Sequence, residues 1–354
     1  MSGGGRAPVR VAVIGLGTIA DEHLKAYRDS PEAELVAVCD IFAERAAQRA
    51  EQYGARAVTD PAEVFADPEI DAVSICTRND THAELVLAAL RAGKHVLIEK
   101  PMTATLAQAE EVAEAAAASA GKLQVAYVRR FSPNATVLKQ FIDAGELGPI
   151  YYAKASCLRR AGNPGGWFAD KAKSGGGPLI DLGVHFLDIC WYLMGCPKVS
   201  RVSGAVFHKL GNRANIKNLS RYLSADYDPA QNSVEDLASA LVTFENGAVM
   251  HFDTSYSLHG PDEVKVQVFG ENGGASLEPA LKIFTEKHDT LLDITPVIDS
   301  LGFDPVGYRN EIDYFLATAR GEVAEAAPAE HGLELMKIIA AIYESAEQGR
   351  EIVL

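Results

Sequence analysis

Three side chains in this sequence have the types needed to interconvert an alcohol and a ketone: Lys100, Asp181 and His185. Taking a hydroxyl proton calls for a base that titrates near neutrality, as imidazole does. The oxygen then needs a cation or donor as charge develops on it, which an ammonium supplies. Lys100 follows the apolar run His95 to Ile98, and strand carboxyl ends form the ligand crevice of an open α/β sheet. Asp181 and His185 lie four positions apart in a stretch, 179–194, whose pattern predicts a helix. That spacing puts both on one face, a turn apart. Their neighbours Leu182, Phe186 and Ile189 imply a helix otherwise buried, where an unpaired charge is costly. The glycines at 175–177 allow a close backbone approach just before it. The expected division of labour is that His185 shuttles the proton, Lys100 polarises the oxygen and Asp181 orients and tunes the pair. From the residues alone, a satisfied Asp–His pair in a core explains the same spacing.

A second group of residues fits a dinucleotide. Val11 to Ala20 reads as a strand, a G-x-G-x-x-A turn and the start of a helix. Gly15 permits the tight turn, Gly17 lets backbone approach a pyrophosphate, and Ala20 is small enough for helix to pack on strand. With Leu16, Thr18 and Ile19 the loop ends at a helix N-terminus, whose N–H groups and dipole favour phosphate. Asp40 stands 20 positions past Ala20, at the end of the next strand-like run, where a carboxylate accepts from the adenosine ribose. It also repels a 2′-phosphate. Ile41 and Phe42 supply no cation and the nearest is Arg45, so NAD is expected over NADP. The plainer alternative is a strand-to-helix turn with Asp40 as a helix cap.

The elements that must position these groups divide the chain in two. Strands are expected at 9–14, 34–39, 72–76, 95–98 and 123–127, with helices at 19–29, 43–53, 61–66, 81–92 and 106–118. Continuous apolar strands alternating with amphipathic helices predict a parallel sheet covered on both faces. Beyond residue 150 the strands lengthen and alternate: 150–158, 199–209, 234–245, 248–257 and 263–270, with Asn246-Gly247 as a hairpin signal. Helices are expected again at 307–319 and 330–348, and 210–231 reads as a polar, exposed excursion. The fold class is therefore α/β: a Rossmann domain over 1–126 and an α+β domain over 127–354 with a mostly antiparallel sheet, one side of it solvated or subunit-facing; a family resemblance carried by the motifs at 77–82, 93–101 and 175–185 implies that this sheet is large and open and serves substrate binding and oligomerisation. The C-terminal helices are free to pack back on the first domain.

Bulk properties narrow the function classes. The net charge of −15 disfavours nucleic acid and anionic membrane surfaces as partners. No apolar run reaches the length of a membrane span, and the Gly-rich start lacks the apolar core of an export signal. Five scattered cysteines with no C-x-x-C pair suggest neither a zinc ribbon nor a disulfide framework, and fit a reducing, cytoplasmic setting. The histidines at 208, 251, 259 and 331 show no metal-ligand spacing, so no metal is expected.

Three longer motifs are more specific than the glycine fingerprint: Thr77-Arg78-Asn79-Asp80-Thr81-His82, the run from Gly93 to Glu99-Lys100-Pro101, and the run from Gly175 through Asp181 to His185. In this order the sequence resembles the Gfo/Idh/MocA family, the glucose–fructose oxidoreductase and inositol dehydrogenase superfamily, over nearly the whole chain. The resemblance implies an NAD-dependent dehydrogenase of a sugar, inositol or related polyol, with the Lys, Asp and His roles given above. It places Thr77, Asn79, His82, Glu99 and Lys100 at the cofactor. It also implies a homodimer or homotetramer built on the outer face of the C-terminal sheet. Arg78 stands where many members have proline. For the substrate, Arg130, Arg159, Asn163 and Trp167 offer planar multi-donor groups and an aromatic face suited to a polyol; an ordinary surface loop is the alternative. Two other functions are compatible with the fold, an NAD-retaining glycosidase that works by transient oxidation and elimination, and a non-enzymatic NAD-binding sensor.

Overall fold

The computed structural model describes residues 7–211, 213, 216, 231–298 and 305–354. They form two compact units. The first takes the described residues of Met1–Thr103, Ala107–Phe131 and Phe303–Leu333, and the second those of Ala104–Leu106, Ser132–Gly302 and Glu334–Leu354.

The first unit alternates strands and helices: β1 (Val9–Ile14), α1 (Ala20–Asp29), β2 (Ala33–Cys39), α2 (Ala43–Tyr53), β3 (Arg56–Val58), α3 (Pro61–Ala66), β4 (Ala72–Ile75), α4 (Asn79–Arg91), β5 (His95–Glu99), α5 (Leu106–Ala118) and β6 (Leu123–Ala126). The six strands are parallel in the order β3-β2-β1-β4-β5-β6. Val11, Ala12 and Val13 are fully buried, as the central strand of a doubly covered sheet requires. Strand order reverses between β1 and β4, so the loops leaving these two strands diverge and open a crevice. The glycine loop is one of them. β3 was not expected, because three residues with only Val58 buried carry no periodicity.

The second unit holds α6 (Pro133–Asp143), β7 (Ile150–Leu158), α7 (Lys171–Ser174), α8 (Val184–Leu193), β8 (Val199–Phe207), β9 (Leu237–Phe244), β10 (Val249–Ser255), β11 (Glu263–Gly270), β12 (Gly273–Glu278), β13 (Lys282–Lys287) and β14 (Thr290–Ile294). After it the chain forms α9 (Val306–Ala319), α10 (Ala329–Gln348) and β15 (Ile352–Val353). The sheet has nine strands in the order β14-β13-β12-β11-β7-β10-β9-β8-β15. Only β7 and β10 pair in parallel. Its inner face buries Ala153, Ala155, Ala240, Val242, Met250, Phe252, Val266 and Val268, with α8 packed across β7 and β11. α9 belongs to the first unit, where Ile312, Phe315 and Leu316 share a core with Leu24 and Tyr27 of α1.

Several expectations need correction. The helix expected over 179–194 is two pieces, a π-helical turn at Leu179–Gly183 followed by α8. A strand expected to reach Lys209 stops at Phe207, because the Asp236 carboxylate takes the N–H groups of Lys209 and Leu210 out of the ladder. α6 was missed although Pro133 at its first turn is a start signal. Strands β12 to β14 were missed because their Gly-rich or charged runs are only partly buried. The excursion expected at 210–231 falls almost wholly outside the described residues. Among the described residues, no helix is long and apolar enough to cross a membrane, and no cluster of His, Cys, Asp and Glu could hold a metal ion.

Candidate active site

In the first unit the glycine loop is built as a cradle. The Gly15 N–H donates to the Cys39 carbonyl at 2.8 Å, turning the chain sharply off β1. Gly15 has φ of +85°, and a Cβ there would lie 2.7 Å from the Thr77 methyl. Both facts demand glycine. Gly17 differs: it is exposed, and a Cβ there would meet nothing within 4 Å. The residue that begins α1, Ile19, has no side-chain cap. A turn with open space at Gly17, running into an uncapped helix start, is what a pyrophosphate needs. These residues fit a dinucleotide.

Asp40 is buried at the edge of this cradle. Its Oδ2 accepts from the Leu16 N–H at 3.0 Å and from Arg45 at 3.1 Å, and its Oδ1 accepts from the Phe42 N–H at 2.9 Å. It therefore shapes the loop as well as standing where a ribose would be read. A carboxylate offers about four acceptor sites, so capacity for a hydroxyl remains. Arg45, noted from the sequence only as the nearest cation, does reach Asp40, and its guanidinium lies 4.9 Å from the Phe42 ring centre.

At the end of β5, Glu99 is nearly buried and Lys100 half-buried. Glu99 Oε2 accepts from the Lys100 N–H at 3.1 Å, while Oε1 lies 2.9 Å from His23 Nε2 of α1. His23 Nδ1 is 3.2 Å from Ser74 Oγ, which pairs with Tyr27 Oη at 2.7 Å. Burial opposes charge on His23, but Cys76 and the Glu99 carboxylate outweigh it and raise its pKa well above the imidazole range. The sequence reading passed over His23; it stands three positions past Ala20, on the face of α1 turned to the sheet. His82 is fully buried, with Nδ1 2.8 Å from the Pro101 carbonyl and Nε2 3.1 Å from that of Thr77. Burial lowers its pKa. Its ring ties the loop after β4 to the loop after β5. Thr77 Oγ1 accepts from Thr81, and Asn79 opens α4.

In the second unit Asp181 and His185 are the only half-buried residues in the run 179–191; every other one is buried. Asp181 lies within the π-turn and His185 just past it, so the spacing of a regular α-helix does not apply. Asp181 Oδ2 accepts from the Tyr256 hydroxyl at 2.6 Å. Burial and the Asp181 charge push the Tyr256 pKa well above its usual value, keeping the phenol a donor. The Arg159 charge opposes that shift. Packing of the π-turn on β10, the strand that Tyr256 follows, brings Tyr256 beside Asp181.

The other substrate candidates are more committed. Asn163 is buried, with Nδ2 donating to Asn232 at 2.7 Å and Oδ1 accepting from the Gly165 N–H at 2.9 Å. Trp167 is half-buried and stacks on Phe168 at 3.9 Å between ring centres. Arg130 is a buried member of the first unit: it donates to the Ala326 carbonyl at 2.7 Å, lies 3.1 Å from His331 Nδ1 and sits over the Tyr127 ring. Burial and the Arg130 charge lower the His331 pKa to about 4.

Fold and cradle define a Rossmann domain suited to a dinucleotide. A model of the oxidoreductase family with an NAD-binding Rossmann fold matches residues 9–127, and one of the GFO/IDH/MocA C-terminal domain matches 136–276. The D-glucoside 3-dehydrogenase of Escherichia coli (strain K12) is 35% identical over 353 residues, covering 98% of each chain. The scyllo-inositol 2-dehydrogenase (NAD(+)) of Bacillus subtilis (strain 168) is 35% identical over 268 residues, 75% of this chain and 72% of that one. Levoglucosan dehydrogenase, solved in complex with NADH, aligns with a TM-score of 0.85 over 98% of this chain and 99% of that one. At 23% identity that likeness is one of fold. The chain belongs to the Gfo/Idh/MocA oxidoreductase family.

Proposed function

We propose that this protein moves a hydride between NAD and a secondary hydroxyl of a sugar or related polyol, with a glucoside as the first substrate class to test. The observation that carries the chemistry is the exposure pattern of 179–191, where a buried run leaves just one carboxylate and one imidazole half-open. The glucoside reading is supported by the 35% identity to the Escherichia coli D-glucoside 3-dehydrogenase over 98% of the chain.

Bound NAD supplies the hydride acceptor at its nicotinamide ring. The loop at 17–19 holds the pyrophosphate against the start of α1, and Asp40 accepts from the ribose. The His185 imidazole takes the hydroxyl proton, and the Lys100 ammonium stabilises charge on the oxygen that loses it. Asp181, steadied by the Tyr256 hydroxyl, orients the imidazole and offsets its positive charge. Arg159 and Trp167 are the substrate contacts carried forward. Asn163 acts through the loop it braces, and no substrate role is proposed for Arg130.

Supporting a homodimer or homotetramer through the second unit's sheet, the outer face carries a stacked Tyr152–Phe269 pair, 5.5 Å between centres, and Leu241 is 44% exposed. Sedimentation showing a monomer at micromolar concentration removes that assembly. Buried thiols at Cys39, Cys76 and Cys190 support a cytoplasmic setting.

The test is NADH formation with a panel of glucosides, inositols and anhydrosugars, together with His185→Ala and Lys100→Ala. Each substitution is expected to lower turnover by about 10²- to 10⁴-fold, with NAD affinity within threefold of the parent, roughly. Full turnover in either variant removes that residue from the mechanism.

A further inference from the structure

The glycines at 175–177 and a carboxylate far along the chain form one device. Glu235 is 2% exposed, in the segment that leads into β9. Its Oε2 accepts from the Gly177 N–H at 2.9 Å, and its Oε1 from the Leu179 N–H at 3.1 Å and the Tyr343 hydroxyl of α10 at 2.9 Å. Gly177 and Leu179 sit at the entry to the π-turn that carries Asp181, where N–H groups have no partner within the turn itself. A Cβ on Gly177 would lie 2.6 Å from the Glu235 carbonyl and 3.0 Å from its carboxyl carbon, and one on Gly176 would lie 2.0 Å from the Tyr343 hydroxyl. These glycines are therefore required by the space that Glu235 and Tyr343 occupy.

Both ends of the same turn are held against β10. A Cβ on Gly183 would lie 2.8 Å from the Phe252 ring, and the Thr254 hydroxyl is 3.3 Å from the Pro178 carbonyl. Asp236, next to Glu235, accepts through its carbonyl from the Tyr256 N–H at 2.8 Å, and Tyr256 donates to Asp181. Two successive acids thus fix the two things that locate the Asp181 carboxylate, its own turn and its hydrogen-bond donor. A buried carboxylate held by neutral donors is costly to desolvate, and an apolar contact would pack as stably.

We propose that Glu235 is a positioning residue for the reaction: its carboxylate, braced by Tyr343, caps the π-turn and sets where the Asp181 carboxylate stands. This rests on the proton-transfer reading of Asp181 and His185. Through Tyr343, the last helix of the chain then bears on the position of that turn.

Glu235→Gln keeps the shape but sets an amide NH₂ against one of the two backbone N–H groups. It is expected to slow turnover about tenfold to a hundredfold, as misplacement of a reacting group does, and to leave NAD affinity by fluorescence titration unchanged. Tyr343→Phe follows in the same direction with a smaller loss. Hydrogen exchange over 175–186 is expected to speed up in both. In the double variant with Asp181→Asn, turnover is expected to be no lower than in Asp181→Asn alone, because both changes disable the same group. Losses that multiply in the double variant assign Glu235 a general stabilising role and overturn the proposal. So do wild-type turnover or unchanged exchange in Glu235→Gln when Asp181→Asn is impaired. Full turnover in Asp181→Asn overturns the catalytic reading itself.

Discussion

The glycine-rich turns at 15–17 and 175–177 both lead into helices, and they use glycine for opposite ends. At 15–17 it is Gly17 that leaves room: the turn closes at Gly15 against Cys76 and Thr77, and beyond Gly17 there is open space next to an uncapped helix start. At 175–177 the missing side chains admit the protein itself, since Glu235, Tyr343 and Ala104 fill every position a Cβ would take. The first turn gives its Gly15 and Leu16 N–H groups to Cys39 and Asp40 and stays open beyond Gly17, whereas the second gives two to the Glu235 carboxylate and is filled by the chain. Glycine spacing alone does not separate a binding cradle from a packing contact. What separates them is whether another part of the chain arrives to fill the space.

Three substitutions break or sharpen that contrast. The largest effect is expected from Gly176→Ala, whose methyl collides with the half-buried Tyr343 hydroxyl in the second unit. Overpacking of this kind costs about 1–3 kcal/mol, and thermal unfolding is expected several degrees below the parent. An unchanged Tm would show that the turn is not packed as described. Gly17→Ala is expected to do the reverse, leaving Tm unchanged and weakening NAD by about tenfold, since its methyl enters the space a pyrophosphate would use. Tight NAD binding in that variant would remove Gly17 from the cradle. The smallest effect concerns Arg45, which lies against Asp40 and softens its repulsion of a 2′-phosphate. Arg45→Ala is expected to weaken NADP a few-fold, leave NAD unchanged and so widen the preference. Equal losses for both cofactors would mean that Arg45 acts only by packing on Phe42.

Much of this was legible from residue types and spacing. The glycine fingerprint, Asp40, and the run to Lys100 each lie within one strand–turn–helix step, so local pattern is enough to place them. The alternation of β9 and β10 and the Asn246-Gly247 turn were equally plain, and Gly247 adopts φ of +83° as a hairpin glycine does. The helix at 179–194 was only half legible. Its apolar content announces a buried helix, but a π-turn depends on what grips its ends.

The sequence by itself determined the cofactor class, the doubly wound order of the first unit and the residue types available for proton transfer, because these follow from periodicity and from short motifs with a single backbone solution. Only the tertiary structure decided that Tyr256 donates to Asp181, that His23 pairs with Glu99, and that Glu235 caps the π-turn. Those partners lie 75, 76 and 58 residues apart. Nothing in local sequence encodes such separations; strand pairing and helix packing bring the groups together, and burial then makes each hydrogen bond obligatory.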